Sequence, residues 1–149
     1  MIGGHPLLLA HPLAALERDG LAAALAKAGL PVEDLEEPGP LFWRFENGEM
    51  PVGFGGLEIH GDQALLRSLV TLPPVRHRGI GRAILAMLEM EARVRHCRAV
   101  WLLAPAPDFF LRLGYRQCER AEMPEALQQT AQFTRLCPAS AAVMMKRLD

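Results

Sequence analysis

A basic, glycine-containing turn near the middle of the chain has the residue types and spacing best suited to chemistry. It reads Arg76-His77-Arg78-Gly79-Ile80-Gly81-Arg82 and directly precedes a helical pattern. The first N–H groups of a helix have no intrahelical partner, and the helix dipole adds positive potential there. Because glycines let a ligand approach the backbone and arginines add mobile positive charge, the turn suits a bound diphosphate.

The elements on either side of the turn are a strand and a helix. The apolar run 65–72 has strand length and ends at two prolines, which cannot continue a β-ladder. Beyond the turn, apolar residues recur with the spacing of a helix packed on one side, at Ile80, Ile84, Met87, Leu88 and Val94. The sequence therefore predicts a strand, the basic turn and a long helix.

Two common phosphate-binding patterns do not fit this turn. A Walker A loop ends in Gly-Lys-Ser/Thr, whereas this turn continues as Gly81-Arg82-Ala83. A dinucleotide fingerprint needs a third glycine, where this chain has Ile84. What remains is Arg-x-x-Gly-x-Gly between a strand and a helix, and the alternative is a surface turn with incidental arginines.

Composition sets the class of protein. The chain has 149 residues, of which 50% are apolar and 22% charged, as expected for one soluble domain over 1–149. A net charge of −1 gives no excess of positive charge for binding nucleic acid. No apolar run approaches the roughly 20 residues of a membrane span. Cys97, Cys118 and Cys137 are odd in number and widely spaced, which argues against disulfides or a metal site. We expect a cytoplasmic protein without a signal peptide, a nucleic-acid partner or a membrane partner.

The remaining patterns indicate an α+β fold. Strands are predicted over 6–10, 41–46, 52–59, 64–72, 98–103 and from Tyr115 onward. Helices are predicted over 13–28, with an interruption at Asp19-Gly20, and over 107–113, while 32–40 is an acidic loop. If the helix after the basic turn is a crossover, the strand 98–103 runs parallel to the strand before the turn.

Two motifs together resemble one family. Arg76-His77-Arg78-Gly79-Ile80-Gly81 resembles the acetyl-CoA pyrophosphate loop of the GNAT superfamily of N-acetyltransferases. About thirty residues later, Asp108-Phe109-Phe110-Leu111-Arg112-Leu113-Gly114-Tyr115 resembles that family's aromatic pair followed by glycine and an aromatic residue. The resemblance implies a single GNAT domain with acetyl-CoA as cofactor. It also implies a mixed, mostly antiparallel sheet of about seven strands, splayed in the middle and flanked by helices.

Other segments are similar to one group within the family. These segments are 122–146, Gly56-Leu57-Glu58 and 65–70, which look like the arsenic-resistance-associated N-acetyltransferases. That group is related to the acetyltransferase domain of N-acetylglutamate synthases, so the resemblance implies an amino-acid-like acceptor. Nothing physical in these residues points to arsenic, since three scattered cysteines make a poor arsenic site. The segment 136–140 reads by itself as a loop before an edge strand.

The resemblance also implies where the cofactor binds. The pantetheine arm would lie in the gap between the strands 65–72 and 98–103, and a backbone N–H near Val70 would stabilise the oxyanion. The cofactor-binding residues implied are Leu69, Val70, Thr71, Arg76, His77, Arg78, Gly79, Ile80, Gly81 and Arg82. The acceptor amine attacks directly, so the cysteines are not expected to carry the acetyl group, and no metal is expected.

The general base and the general acid are less defined. Where some relatives have a glutamate this chain has Leu65, which leaves Glu58, His60 or a water as base. An α-amine with a pKa near 8 costs about 1.4 kcal/mol to deprotonate at pH 7, and a lysine side chain about 4.6, which favours a small amino compound. Many relatives have a tyrosine acid where this chain has Phe110. Tyr115, the only tyrosine, is the candidate acid, with packing as the alternative and water as a sufficient donor.

Arg67 is the first candidate for binding the acceptor. It is a charged residue in an otherwise apolar strand, and a half-buried arginine is a natural clamp for a carboxylate. Arg44 and Arg112 are the next candidates, and the alternative for Arg67 is an exposed strand position. The sequence therefore predicts acetyl transfer from acetyl-CoA to the amine of a small amino-acid-like acceptor, with a homodimer left open. Leu65 and Phe110 keep a non-catalytic acyl-CoA-binding protein as the alternative, and a protein lysine acetyltransferase is the third reading.

Overall fold

One seven-stranded sheet organises the described part of the chain. The computed structural model describes residues 8–73 and 79–148. Its strands are β1 Leu9–Pro12, β2 Leu41–Asn47, β3 Met50–His60, β4 Gln63–Thr71, β5 Ala99–Ala104, β6 Arg116–Cys118 and β7 Ala142–Arg147. They are ordered β1-β2-β3-β4-β5-β7-β6, and the only parallel pair among them is β4 with β5. The predicted α+β fold with a mixed, mostly antiparallel sheet is confirmed.

Helices flank this sheet. They are α1 Asp19–Lys27, α2 Ile80–Val94, α3 Asp108–Arg112 and α4 Glu125–Gln128, with 3₁₀ turns at Ala15–Glu17 and Arg120–Glu122 and a π-helical turn at Gln132–Leu136. The helix predicted over 13–28 is interrupted, but at Arg18, between the 3₁₀ turn and α1, and not at Asp19-Gly20, which begin α1. The elements between 120 and 136 were not predicted. No helix in the described ranges is long and apolar enough to cross a membrane.

The helix α2 packs directly against the backbone of β3. A Cβ at Gly55 would lie 2.5 Å from Leu88 Cδ1, and one at Gly53 would lie 2.6 Å from Ile84 Cδ1. The inward face of α2 is the predicted one except at its end. Val94 is 64% exposed because it lies six positions after Leu88, on the other side of a 3.6-residue turn, and Ala92 takes the inner position instead.

The sheet opens between β4 and β5. The two strands pair only at Gln63–Ala99, Ala64–Val100 and Leu65–Trp101. Beyond Leu65, β4 residues 66–70 pair with no strand of the described ranges on that side, while β5 stays paired with β7 along its whole length. The predicted splay in the middle of the sheet is therefore confirmed.

A β-bulge lies in β4 beyond the point of divergence. Phe54 of β3 pairs with Val70 and Gly56 pairs with Arg67, so Ser68 and Leu69 together stand opposite Gly55. Ser68 has φ of 59°, which is unusual for a residue with a side chain. Such a bulge bends the strand and disturbs the ladder locally, which re-aims its backbone groups.

One prediction about the C-terminal strand is wrong. The loop 136–140 leads to β7, which was expected at the sheet edge but lies between β5 and β6, so that β6 is the edge strand. The physical reason is that successive residues of β7 are buried, with Val143 1%, Met144 0% and Met145 7% exposed. A strand apolar on both faces is typical of an interior position.

Candidate active site

A cavity of about 700 Å³ occupies the gap where β4 and β5 diverge. Four segments and one aromatic side chain line it: 65–69 of β4, 102–106 of β5 and its following turn, 28–31 with Glu33 before β2, Gln132 with 136–138, and Phe110. Its walls are mostly apolar, and its volume is in the range of cavities that hold small ligands. An extended ligand entering the gap would meet the unpaired edge of β4, which offers backbone N–H and C=O groups as a neighbouring strand would.

The three predicted cofactor-binding residues on β4 lie at different positions relative to the cavity. Leu69 lines it directly. The side chain of Val70 is 6% exposed and packs in the core that includes α1, so only its backbone is suited to a ligand. Thr71 lies near the start of α2, with its Cγ2 3.6 Å from the position of a Cβ at Gly81. The strand therefore connects the cavity with the first turn of the helix.

Glycines shape the start of α2. Gly79 precedes the helix with φ of 75°, a left-handed conformation that residues with a side chain adopt rarely. At Gly81, a Cβ would lie 3.4 Å from the ring of Phe109 and 3.6 Å from Thr71. The prediction assigned both glycines to ligand approach, and the structure adds that Gly81 lets α3 and the end of β4 come close to the helix.

The charged part of the predicted diphosphate site is only partly described. Ile80 is 4% exposed and its side chain belongs to the core, so only its backbone N–H is suited to a ligand. Arg82 is exposed and makes no ion pair with any described residue, so it is available to an anionic ligand. Arg76, His77 and Arg78 lie outside the described residues, and their roles stay predictions.

Arg67, the predicted acceptor clamp, is already engaged by two carboxylates. Its guanidinium binds Asp34 through both terminal nitrogens at 2.5 Å and Glu58 through Nη1 at 3.0 Å, and its Nε lies 3.3 Å from Ser68 Oγ. The Arg67 side chain is 0% exposed and stacks on the ring of Phe42 at 5.1 Å. Burial opposes the charged form, but the hydrogen bonds and charges of Asp34 and Glu58 outweigh it and raise the pKa of Arg67 above its ordinary value. The alternative of an exposed strand position is wrong.

Glu58, the predicted general base, belongs to the same network. Its carboxylate contacts Arg67, and His60 Nε2 lies 3.6 Å from Glu58 Oε1. Neither Glu58 nor His60 lines the cavity, whereas Leu65 does. The structure thus brings Glu58 and Arg67 together, but places neither the Glu58 carboxylate nor the His60 imidazole at the cavity wall.

Tyr115, the predicted general acid, has its hydroxyl buried against α2. It donates a hydrogen bond to Glu89 Oε2 at 2.8 Å, and Lys146 Nζ donates to Glu89 Oε1 at 3.1 Å. Burial, followed by the charge of Glu89, raises the pKa of Tyr115 far above its ordinary value. Phe110 lines the cavity and Tyr115 does not. This placement favours the packing role, in which Tyr115 fastens the segment after α3 to α2.

Gln132, which the sequence reasoning did not single out, lies at the cavity together with Cys137. Gln132 begins the π-helical turn, is 6% exposed, and its Oε1 lies 3.4 Å from Cys137 Sγ. Burial raises the pKa of the Cys137 thiol, and the charges of Arg67 and Asp34 also reach it. No local pattern marks this segment, because a π-helical turn has no sequence signature comparable to a cap or a hairpin turn.

The two other arginines considered for the acceptor do not line the cavity. Arg44 donates to Glu46 at 3.2 Å, and Arg112 is exposed at the end of α3. The sequence reasoning also missed the partner of Arg67: Asp34 lies in the acidic loop, is 1% exposed, and is 33 positions away in sequence. The one signal for it was Arg67 itself, since a charge in a buried strand needs a partner.

The comparison with protein families decides the identity of the fold. Residues 12–115 match the model described as the acetyltransferase (GNAT) family, which is more than half of the chain. The chain belongs to the GNAT acetyltransferase family. Members of this family take their acetyl group from acetyl-CoA. A search of curated proteins finds no match.

Solved structures share the GNAT fold at low sequence identity. N-acetylglutamate synthase from Neisseria gonorrhoeae, solved with coenzyme A and N-acetyl-glutamate, has a TM-score of 0.78 and 16% identity over 97% of this chain and 36% of its own. Rv2747 from Mycobacterium tuberculosis, solved with CoA, has a TM-score of 0.73 and 20% identity over 97% and 100%. The PaiA N-acetyltransferase from Thermoplasma acidophilum, solved with coenzyme A, has a TM-score of 0.66 and 15% identity over 95% and 99%. The chain thus spans about a third of the synthase and the full length of the smaller proteins.

Proposed function

We propose that this GNAT protein transfers the acetyl group of acetyl-CoA to the amine of a small amino-acid-like acceptor. The observation that carries the proposal is the divergence of β4 from β5 beyond Leu65, which opens a cavity next to an unpaired strand edge. The amides of a pantetheine arm pair with that edge as a strand would. At the end of β4, the diphosphate meets the first N–H groups of α2, together with Arg82 and the predicted Arg76, His77 and Arg78.

The bulge in β4 supplies the electrostatic part of the proposed reaction. Ser68 and Leu69 depart from the regular ladder, and the following N–H near Val70 is a candidate donor to the thioester oxygen. A donor aimed at a developing oxyanion can contribute about 2.7–4 kcal/mol to the barrier. In the step itself, the amine nitrogen forms a bond to the acetyl carbon and the carbon–sulfur bond breaks. The amine proton leaves to water, and the CoA thiolate takes a proton from water.

The acceptor would occupy the part of the cavity lined by the segments 28–33 and 132–138. The lining residues of these two segments are mainly apolar. A cavity of about 700 Å³ suits a small molecule better than a protein surface, and an α-amine near pKa 8 needs no strong base. N-acetylglutamate synthase, which shares the fold, was solved with an N-acetylated amino acid, and this supports the amino-acid-like class.

The arsenic association implied by the sequence resemblance stays a prediction. In residues 8–73 and 79–148, no three histidine, cysteine or carboxylate side chains are grouped so as to hold a metal ion. Cys97, Cys118 and Cys137 are free thiols. The function proposed here therefore does not depend on arsenic.

A second function is favoured by one observation. Leu65 and Phe110 line the cavity where an acid or a base would act, and the Tyr115 hydroxyl is engaged with Glu89. A non-catalytic acyl-CoA-binding protein would need neither an acid nor a base. It would bind acyl-CoA in the same gap and act as a sensor or a partner protein.

The test is release of free CoA thiol from acetyl-CoA with a panel of acceptors. The panel contains amino acids, their amides, simple alkyl amines and a lysine peptide, with a reaction lacking acceptor as the control for hydrolysis. Acetyl transfer to small amines is the expected result. Tight acetyl-CoA binding by calorimetry without turnover on any amine would favour the non-catalytic protein, and activity on the lysine peptide alone would refute the small-molecule proposal.

A further inference from the structure

The guanidinium of Arg67 is closed to a substrate. It donates four hydrogen bonds to Asp34, Glu58 and Ser68, and its side chain is 0% exposed. An acceptor carboxylate would have to displace one of the two protein carboxylates to reach it. Breaking such a buried pair is costly, so Arg67 holds the cavity wall and does not bind an anion.

The accessible charge at this part of the cavity is negative. Of the described lining residues only Glu33 and Arg67 are charged, and Asp34 and Glu58 bind Arg67 from behind the wall. Two other cations lie near Arg67 or the segment 132–138 without lining the cavity: Arg18 stacks on the Phe42 ring that Arg67 also contacts, and Arg120 donates to the carbonyls of Ala139 and Ala141. Because Arg67 is enclosed by its partners, the exposed carboxylate of Glu33 is the charge that a ligand meets, and it attracts an ammonium group and repels a carboxylate.

Gln132 offers the polar contact that Arg67 does not. Its side chain is buried at the cavity wall, and its Oε1 accepts a hydrogen bond from the Cys137 thiol. Its Nε2 donates no hydrogen bond to any residue within 8–73 and 79–148. This N–H₂ group is not among the fully buried atoms without a partner in the described residues, so it stays accessible from the cavity, where a ligand oxygen can accept its hydrogen bond.

We infer that the acceptor is an amine whose neighbouring oxygen is uncharged, such as the carbonyl of a carboxamide, and that Gln132 Nε2 donates to that oxygen. An amino acid with a free α-carboxylate is disfavoured, because the cavity offers that group no accessible cation among the described residues. The apolar walls take an aliphatic side chain. This inference rests on the proposed acetyl transfer and narrows its substrate class.

The first test compares L-leucine with L-leucinamide as acceptors of acetyl-CoA. The amine of L-leucinamide is less basic than that of L-leucine. We therefore measure kcat/KM over a pH series and calculate it from the concentration of the unprotonated amine of each compound. We expect L-leucinamide to exceed L-leucine by about 10-fold or more, corresponding to the loss of one good hydrogen bond and a charge penalty. Equal use of the two compounds, or preference for L-leucine, overturns the inference while leaving acetyl transfer to small amines intact.

The second test identifies the donor. Gln132→Leu keeps the approximate size of the side chain and removes the amide, and isopentylamine is L-leucinamide without its carboxamide. We expect kcat/KM to fall about 10-fold for L-leucinamide and by less than about 3-fold for isopentylamine. Gln129→Leu, at an exposed position of the preceding segment, is the matched control and should change neither value. An equal loss on both amines would mean that Gln132 is only structural and overturns its assigned role.

Binding measurements keep the inference testable if turnover is absent. In calorimetry with the CoA complex, L-leucinamide should bind more tightly than L-leucine. The Gln132→Leu variant should lose this preference for L-leucinamide. Unchanged thermal stability and CoA affinity in this variant establish that it folds. Absence of turnover on every amine counts against the proposed function, whereas absence of any binding preference counts against the present inference.

Discussion

Replacement of Asp34 by Asn tests whether the buried Arg67 network holds the cavity wall. The two side chains are 2% and 0% exposed and meet through two hydrogen bonds of 2.5 Å. Asn keeps the size of the side chain and one acceptor oxygen but loses the charge. Breaking a buried pair typically costs 3–5 kcal/mol. Because Glu58 still neutralises Arg67, we expect Asp34→Asn to lower the free energy of unfolding by about 3 kcal/mol, the low end of that range. This is a large part of a typical folding free energy of 5–15 kcal/mol.

Equilibrium unfolding in urea measures this change, and the chain offers a matched control. Arg135 and Glu37 form an ion pair at 3.2 Å in which both side chains are 52% exposed. Glu37→Gln should cost about 0–1 kcal/mol, as exposed pairs do. If Asp34→Asn and Glu37→Gln lower the free energy of unfolding by the same small amount, the Arg67 network does not stabilise the fold and the reasoning is refuted.

Three further predictions concern packing and reactivity. Tyr115→Phe should leave kcat/KM within about 3-fold of the wild type and lower the free energy of unfolding by about 1–2 kcal/mol at neutral pH. Loss of turnover at unchanged stability would instead support Tyr115 as the general acid. The raised pKa of Tyr115 means that its contribution is complete below the unfolded pKa of about 10 and is lost as pH rises further, so alkaline unfolding should be steeper in the wild type than in Tyr115→Phe. Cys137→Ser should retain turnover, and intact-mass spectrometry should find no acetyl adduct on the wild-type protein, since burial keeps this thiol protonated. Gly55→Ala should cost about 1–3 kcal/mol in urea unfolding, because its Cβ would lie 2.5 Å from Leu88, and an unchanged midpoint would contradict that packing.

Local signals in the sequence predicted most of the sheet. The turn at Asn47-Gly48 and the alternation around it located β2 and β3, and the prolines after Leu72 located the end of β4. These features act within a few residues, so a single sequence carries them. The splay between β4 and β5 came from the family resemblance, because no residue pattern predicts where two strands separate.

Long-range contacts of the site could not be predicted in the same way. Asp34 and Arg67 are 33 positions apart, and Tyr115 and Glu89 are 26 apart, so neither pair follows from a local pattern. Each arginine or tyrosine signalled only that a partner must exist, and the partner depends on the tertiary fold. The acceptor assignment changed for this reason: Arg67 was predicted to be open to a ligand and is instead enclosed by Asp34 and Glu58.

The most direct test of the account is calorimetric titration of the protein with CoA. We predict saturable binding of one CoA per chain, at least about 10-fold weaker in Gly81→Val, whose side chain would enter the close contact between α2, Thr71 and Phe109. Gly20→Val, at an exposed position of α1, is the control and should bind as the wild type does. No detectable affinity for CoA in the folded wild-type protein, or equal affinity in the wild type and Gly81→Val, would contradict a cofactor site at the start of α2.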